Sequence, residues 1–495
     1  MKTKIYIILL TFWLGGCSDF LKESSQDEIR PSTVADLDQL LLGEGYLIDY
    51  NIYNLTDILT DNMKCNGVAH SSMQSYFDAR KWCFRWEENM FASSGGGNNE
   101  NFWEIPYKGI AGCNLVLDNL DKMYGEENER ESLRGEALAL RGWLYFHLVN
   151  FFGFPYNYGD SNENLGVPLK LDADVTDEYF TRNTVAEVYR QIEKDLLEAN
   201  RLLTIYDMER RDYFRIGDLA AKAMLSRMYL YMEDWDKALA YADSVLLVKS
   251  ELLNLDELPV PNLYSEHSFH SVYSPLNPVE IIWGREYHQT NLGSHMSYKY
   301  PYSVSDELVA LMESSFMDFD ADVLKDLRGG FFFSWSSVMV GMEYDDYQIG
   351  TVKDDWYGKY QGIRTAELYL NRAEAYARKY KKDGTEEFRT RALADLNELR
   401  RHRLNNNVYP FEEVSMANAD DLIDFCLLER RKELSGETNH RWFDLRRTGM
   451  PEIKHYFFTD VSENPVEYKL TTKAYVLPIP ERAMNLNPNL VQNSR

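Results

Sequence analysis

The sequence predicts a mainly α fold, built on irregular tetratricopeptide-like helix pairs, with long aromatic loops and little β structure. Three observations carry this reading. Apolar residues recur at three- and four-residue spacing through long windows, the period of a helix face turned to a core. Small residues interrupt those apolar stripes, which suits close helix–helix packing. One block, LAAKAMLSRMYLYMEDWDKALAYADSVL, reads as helix, tight turn, helix.

The elements follow in chain order. Lys2 and Lys4 precede the apolar run IYIILLTFW, then Gly15, Gly16 and Cys17. A bilayer-spanning helix needs about 20 apolar residues, so this run is too short to span. It has the order and length of a secretory signal. Residues 1–16 are therefore expected to be removed, 17–34 to form a polar tether, and 35–495 to form one domain. No later stretch is long and apolar enough to span a bilayer.

Residues 61–107 are rich in Trp, Asn, Ser and Gly and include SSGGGNNEN. The first strong helix is SLRGEALALRGWLYFHLVN, with Leu133, Ala137, Leu140, Leu144 and Leu148 on one face. TVAEVYRQIEKDLLEANRLL opens with Thr184 and Glu187 at the spacing of a capping box. In the next block Leu225, Ser226, Tyr229 and Ala238 hold the relative spacing of a 34-residue helical repeat, although Ala242 stands where Phe is usual. Residues 254–362 mix Pro, Gly and aromatics, with one short strand candidate, VEIIWGREY. Two further helices, Ala366–Tyr380 and Phe388–Arg403, form a second pair. A third pair is expected between the helix ending near Asn150 and the one starting at Thr184. Loops as long as 61–107 and 254–362 are usually functional or disordered, and their aromatic density argues against disorder. They read as one irregular face mounted on the helices.

Composition narrows the function. Against 53 basic residues stand 79 acidic ones, a formal charge of −26. Such a surface repels phosphate backbones, so nucleic acid is not expected as a partner. Beyond Cys17 the cysteines are Cys65, Cys83, Cys113 and Cys426, whose spacing matches no zinc pattern. Disulfide pairing and four buried thiols both fit. DFDADVLKDLRG places Asp318, Asp320 and Asp322 at the start of a calcium-loop spacing, but Val323 and Gly329 stand where Gly and Glu are needed. No HExxH, GxSxG or phosphate-binding glycine loop is present, and no cofactor is expected.

Several separated blocks share a pattern: EALALRGWLYFHLVNFFG, TRNTVAEVYRQIEKDLLEA, AAKAMLSRMYLYMEDWDKALAYADSV, IRTAELYLNRAEAYAR, LLERRKELSGETNHRWFDLRR and AYVLPIPERAMNLNPNLVQN. Together, and in this order, they resemble the SusD/RagB family, surface lipoproteins of Bacteroidota nutrient uptake. One departure is Ser435, where the family commonly has an apolar-aromatic residue before Gly. The small residues before Cys17 likewise resemble a lipobox, which implies lipidation of Cys17. The resemblance implies a non-catalytic, lipid-anchored protein of the outer membrane's cell surface. It also implies a SusC-like TonB-dependent barrel as partner and an oligosaccharide as ligand. A RagB-like peptide binder is the alternative, and a helical lipoprotein glycosidase a third reading.

Sugar rings pack their C–H faces on flat aromatic side chains while polar groups fix the hydroxyls. The candidate contacts are Asp61, Asn62, Tyr76, Trp82, Arg85, Trp86 and Asn89 in the first loop region, with Phe77 beside them. Tyr287, Tyr298 and Trp335 are the candidates in the second, where Tyr300 and Tyr302 lie close by. Trp86 in FRWEENMF reads either as a platform or as a buried anchor. As a platform, its replacement by alanine is expected to weaken binding and leave the melting temperature nearly unchanged. Trp103 and Trp283 read as core, and Trp143 and Trp442 as packing within helices.

Overall fold

The computed structural model describes residues 31–46, 56–68, 70–88, 90–91, 102–206, 213–258, 272–273, 278–286, 301–312, 324–340, 343–351, 360–437, 439–460 and 464–495; for 285–286, 333–340, 343–351 and 360–361 it describes the backbone alone. The helices that build the body are α1 (Val34–Leu40), α2 (Glu104–Asn119), α3 (Glu127–Phe152), α4 (Val185–Ile205), α5 (Asp218–Tyr231), α6 (Trp235–Leu246), α7 (Thr365–Asp383), α8 (Glu386–Arg401), α9 (Ala419–Leu434) and α10 (His440–Arg447). Each packs on the next from α2 to α8, and α9 packs on α7. The three expected pairs are thus α3–α4, α5–α6 and α7–α8.

Side-chain size explains how closely these helices approach. A Cβ added at Gly135 of α3 would lie 2.9 Å from Leu203 Cγ on α4, so only glycine fits there. In the α5–α6 hairpin Ala238 and Ala242 are fully buried. The Ser226 hydroxyl donates to the Ala238 carbonyl at 3.0 Å. Glu233 turns the chain between them at φ 61°. Helix α4 starts as expected: the Thr184 hydroxyl accepts from Glu187 N, and the Glu187 carboxylate accepts from Thr184 N, satisfying donors that a helix start leaves open.

The centre is far more ionic than the apolar stripes suggest. Arg364 donates to Glu280, Glu433 and Glu437 at 2.6–3.0 Å. Arg403 donates to Glu280 and Glu433, and Arg328 to Asp326, Glu429 and Glu433. All three arginines are fully buried. Burial alone would raise the Glu433 carboxyl, but the charges of Arg403, Arg364 and Arg328 outweigh it and hold it well below the usual range. A second buried group joins α5, α7, α9 and α10 through Arg227–Glu367, Arg430–Asp444 and Arg447–Glu374. The departure at Ser435 is accommodated locally. Its hydroxyl donates to Lys432 O at 3.3 Å, and Gly436 takes φ 72°, delivering Glu437 to Arg364.

The β content exceeds the one strand expected. VEIIWGREY does form β2 (Ile281–Glu286), paired antiparallel with β6 (Tyr360–Arg364). Three more two-stranded sheets accompany it: β1 (Met63–Cys65) with β3 (Tyr302–Val304), β4 (Phe333–Val340) with β5 (Glu343–Thr351), and β7 (Ile453–Phe457) with β8 (Val466–Leu470). The β1–β3 ladder has three residue pairs and the β2–β6 and β7–β8 ladders five each, too few to leave a long alternation in the sequence. In β7 the alternation is present once sought: Ile453, His455 and Phe457 point inward, and Lys454 and Tyr456 outward. The β1–β3 ladder brings the two aromatic loop regions together, reinforced by Asn66 N donating to Pro301 O at 2.7 Å.

Cys65, Cys83, Cys113 and Cys426 are buried free thiols. Burial pushes the Cys83 thiol up to about 12, so these side chains behave as small apolar groups.

Candidate functional site

The segment from Thr56 to Phe91 wraps over the β7–β8 hairpin. It forms helical turns at Asp57–Leu59, Ser71–Met73, Gln74–Asp78 and Lys81–Phe84. Its inner side is an aromatic stack. The His455 ring lies between the Phe84 and Trp86 rings, 4.0 Å from each. Phe77 stacks on Tyr302 at 5.7 Å and on Phe457 at 5.3 Å. The His455 ring nitrogens face the carbonyls of Phe84 and Thr60 at 2.7 and 2.9 Å. Burial outweighs those contacts and lowers the imidazole to about 4, so it is neutral at neutral pH.

This stack corrects three of the expected contacts. Trp86 is 5% exposed, and its indole N–H donates to Leu59 O at 2.9 Å. It anchors the loop, held at φ 53°, and offers no open face. Asn62 is 2% exposed and accepts from Arg431 Nε at 3.0 Å. Asp61 accepts a bidentate pair from Arg441 at 2.8 and 2.6 Å. Burial would raise its carboxyl, yet Arg441 and Arg431 more than compensate and lower it. Both residues pin the loop to α9 and α10, through the Asn62 Oδ1 and the Asp61 carboxylate. The signal that could have found this was the arginine-rich LLERRKEL and NHRWFDLRR, which need buried acceptors somewhere.

Tyr76, Trp82 and Arg85 fare differently. All three are half-buried. The Arg85 guanidinium carbon lies 5.0 Å from the Trp82 ring, 4.8 Å from Phe457 and 5.7 Å from Tyr468. Its charge is met by Glu87 at 2.6 Å. Lys81 Nζ lies 5.5 Å from the same indole, and Arg80 sits 3.8 Å over the Tyr76 ring. Cations above aromatic faces orient those faces at modest energy. The result is a half-buried ledge of rings and guanidinium, Arg85 with Trp82, Phe457 and Tyr468, on a strongly acidic molecule. Phe457 and Tyr468 were missed because the β7–β8 hairpin lies nearly 400 residues away in sequence.

Other candidates are placed or fall outside. Cys17, Asn89, Tyr287, Tyr298, Tyr300 and Asp318, Asp320 and Asp322 lie outside the described residues. Trp335 is on β4, described by its backbone alone. Tyr302 is buried. Trp143, Trp283 and Trp442 are fully buried core, while Trp103 is half-buried against Phe152. Among the described residues no group of three or more His, Cys, Asp or Glu is placed to hold a metal ion. None of the described helices is long and apolar enough to cross a membrane.

Comparison with known proteins supplies the context. Residues 19–230 match a family model described as "Starch-binding associating with outer membrane", and residues 333–495 match the "SusD family" model. SusD-like protein P2 of Formosa agariphila is 23% identical, aligned over 100% of this chain and 99% of its own. A SusD-like carbohydrate binding protein from Bacteroides vulgatus superposes with TM-score 0.66 at 22% identity, covering 93% of this chain and 97% of that one. A laminarin binding SusD-like protein superposes with TM-score 0.60 at 20% identity, covering 93% and 99%.

Proposed function

This chain belongs to the SusD/RagB family, and from that premise we propose that it is a cell-surface lipoprotein that captures oligosaccharides without cleaving them. Cys17 carries the lipid anchor, and a SusC-like TonB-dependent barrel in the outer membrane receives the captured glycan. The observation that carries the reading is the ledge of Trp82, Arg85 and Tyr76. Its rings are half-buried and oriented by cations. A pyranose ring stacks on such a face, and neighbouring guanidinium N–H groups reach hydroxyls. Asn89, Tyr287, Tyr298 and Trp335 complete the glycan contacts in this proposal.

Titration calorimetry with laminarin, starch oligosaccharides and mixed peptides, each followed by product analysis, tests the reading. Glycan binding with no products is expected, weakened about tenfold by Trp82→Ala. Binding of peptides alone would transfer the protein to the RagB-like alternative. Product formation abolished by one carboxylate substitution would make it an enzyme.

A further inference from the structure

A cavity of about 420 Å³ opens where the start of α2, the loop 168–180 and the helical turn Glu481–Leu486 meet. Sites that enclose small molecules measure roughly 300–1,000 Å³, so this one is large enough for a single ring with a short substituent. It shares no residue with the Trp82 ledge. Its walls are mostly apolar, formed by Trp103, Tyr107, Pro168, Phe180, Pro480 and Leu490. Three of these carry aromatic rings. The donors of Tyr107 and Asn487 are spent on the chain itself: the Tyr107 hydroxyl donates to Pro168 O at 2.8 Å, and Asn487 Nδ2 to Phe180 O at 2.8 Å. A polyhydroxylated sugar needs an open partner for each hydroxyl it buries. An unsubstituted ring needs none.

Charge at the cavity sets the substituent. Lys170 and Arg482 belong to its lining, against Glu104 alone. Arg482 pairs with Glu104 at 3.1 Å, and both side chains are more than half exposed. Lys170 pairs with the exposed Asp172, and its Nζ lies 5.6 Å from the centre of the Phe180 ring. Ion pairs open to water are held weakly, so an incoming anion can replace either carboxylate. A third cation, Arg182, stands behind the same wall. Its Nη1 donates to Val491 O, next to Leu490, and its charge acts on the Tyr107 hydroxyl. The other Arg182 donors go to the carbonyls of Gly166, Phe152 and Leu165 and to Asn493 Oδ1. Among the described residues no carboxylate meets it. Burial lowers the guanidinium to about 10, so it stays charged at neutral pH. A buried cation without a counter-ion projects its field further than an exposed one. On a chain of formal charge −26, this cavity is a place where positive charge is in excess.

We infer that this cavity binds a small aromatic carboxylate, its ring against Trp103, Tyr107 and Phe180 and its carboxylate at Lys170 and Arg482. The site is separate from the glycan ledge and does not depend on it. Titration calorimetry on the full chain tests it with phenylacetate, the uncharged phenylacetamide and the alkyl acid octanoate. Phenylacetate should bind at one site, and the other two at least about tenfold more weakly. Two variants place the site: Arg482→Glu, which reverses an exposed charge, and Ala483→Trp, which fills the cavity. Each should weaken phenylacetate binding about tenfold or more, and Arg482→Glu should unfold at the wild-type temperature. Laminarin binding, assigned above to the Trp82 ledge, should not change in either. No saturable binding of phenylacetate overturns the site. Equal affinity for the acid and its amide overturns the carboxylate, and octanoate binding as tightly overturns the aromatic class. Phenylacetate binding untouched by both variants puts the acid elsewhere and overturns this cavity. Loss of laminarin binding in Ala483→Trp assigns the cavity to sugar and overturns the inference as well.

Discussion

Two regions of this molecule use arginine and aromatic rings in opposite ways. In the helical body Arg364, Arg403 and Arg328 are fully buried and surrounded by carboxylates, so every N–H serves packing. On the segment from Thr56 to Phe91 Arg85 is half-buried, and three of its neighbours are ring faces. The tryptophans divide likewise. Trp86 has its N–H bonded and its face covered by His455, whereas Trp82, one helical turn earlier, remains partly open. The difference teaches that residue type does not assign a role; the partners left over after folding do.

The largest expected effect lies in the body. Glu433→Gln removes the charge shared by three buried arginines and is expected to cost about 3–5 kcal/mol, read as a lower urea midpoint. A change below experimental error would show that the arginines find other acceptors. Next comes Trp86→Ala, expected to cost about 3 kcal/mol or more as a buried aromatic truncation. The melting temperature should fall clearly, contrary to what the sequence reading of a platform requires. An unchanged melting temperature would return Trp86 to the ledge.

Acid titration sharpens the same contrast. The His455 imidazole is lowered to about 4 in the fold, against about 6.5 in an unfolded chain. The unfolded state therefore binds the extra proton between those values. Stability contributed by the neutral ring is complete above about pH 6.5 and is lost as pH falls toward 4, by up to about 3 kcal/mol. Chemical denaturation across that window should show the slope in the wild type and a flatter one in His455→Gln. Equal slopes would place the acid sensitivity elsewhere. Smallest in stability is Trp82→Ala, expected to cost no more than about 2 kcal/mol of packing while weakening glycan binding. Loss of stability without loss of binding would merge the two regions into one structural role.

The helices were legible because their evidence is local. The Thr184–Glu187 box, the stripe Leu133 to Leu148 and the Ser226–Ala238 contact all lie within one helix or one hairpin. The short strands were not legible, since β1 and β3 are three residues each and pair across more than two hundred positions. Among the site candidates, Tyr76, Trp82 and Arg85 stand on one partly open ledge. Asp61, Asn62 and Trp86 do not, because Arg441, Arg431, Leu59 and His455 occupy them from elsewhere in the chain. Nothing near FRWEENMF in sequence announces those partners.

What the amino-acid order determined by itself was the periodicity of the helices, the small residues that let them close, and the acidic balance of the whole. These depend on spacing within a few turns, and local sterics and charge decide them. Only the tertiary structure decided which arginines were buried, which tryptophan faced solvent, and where a cavity opened beside Trp103. Those outcomes depend on contacts between residues hundreds of positions apart, and burial is set by the sum of neighbours, which no single stretch contains.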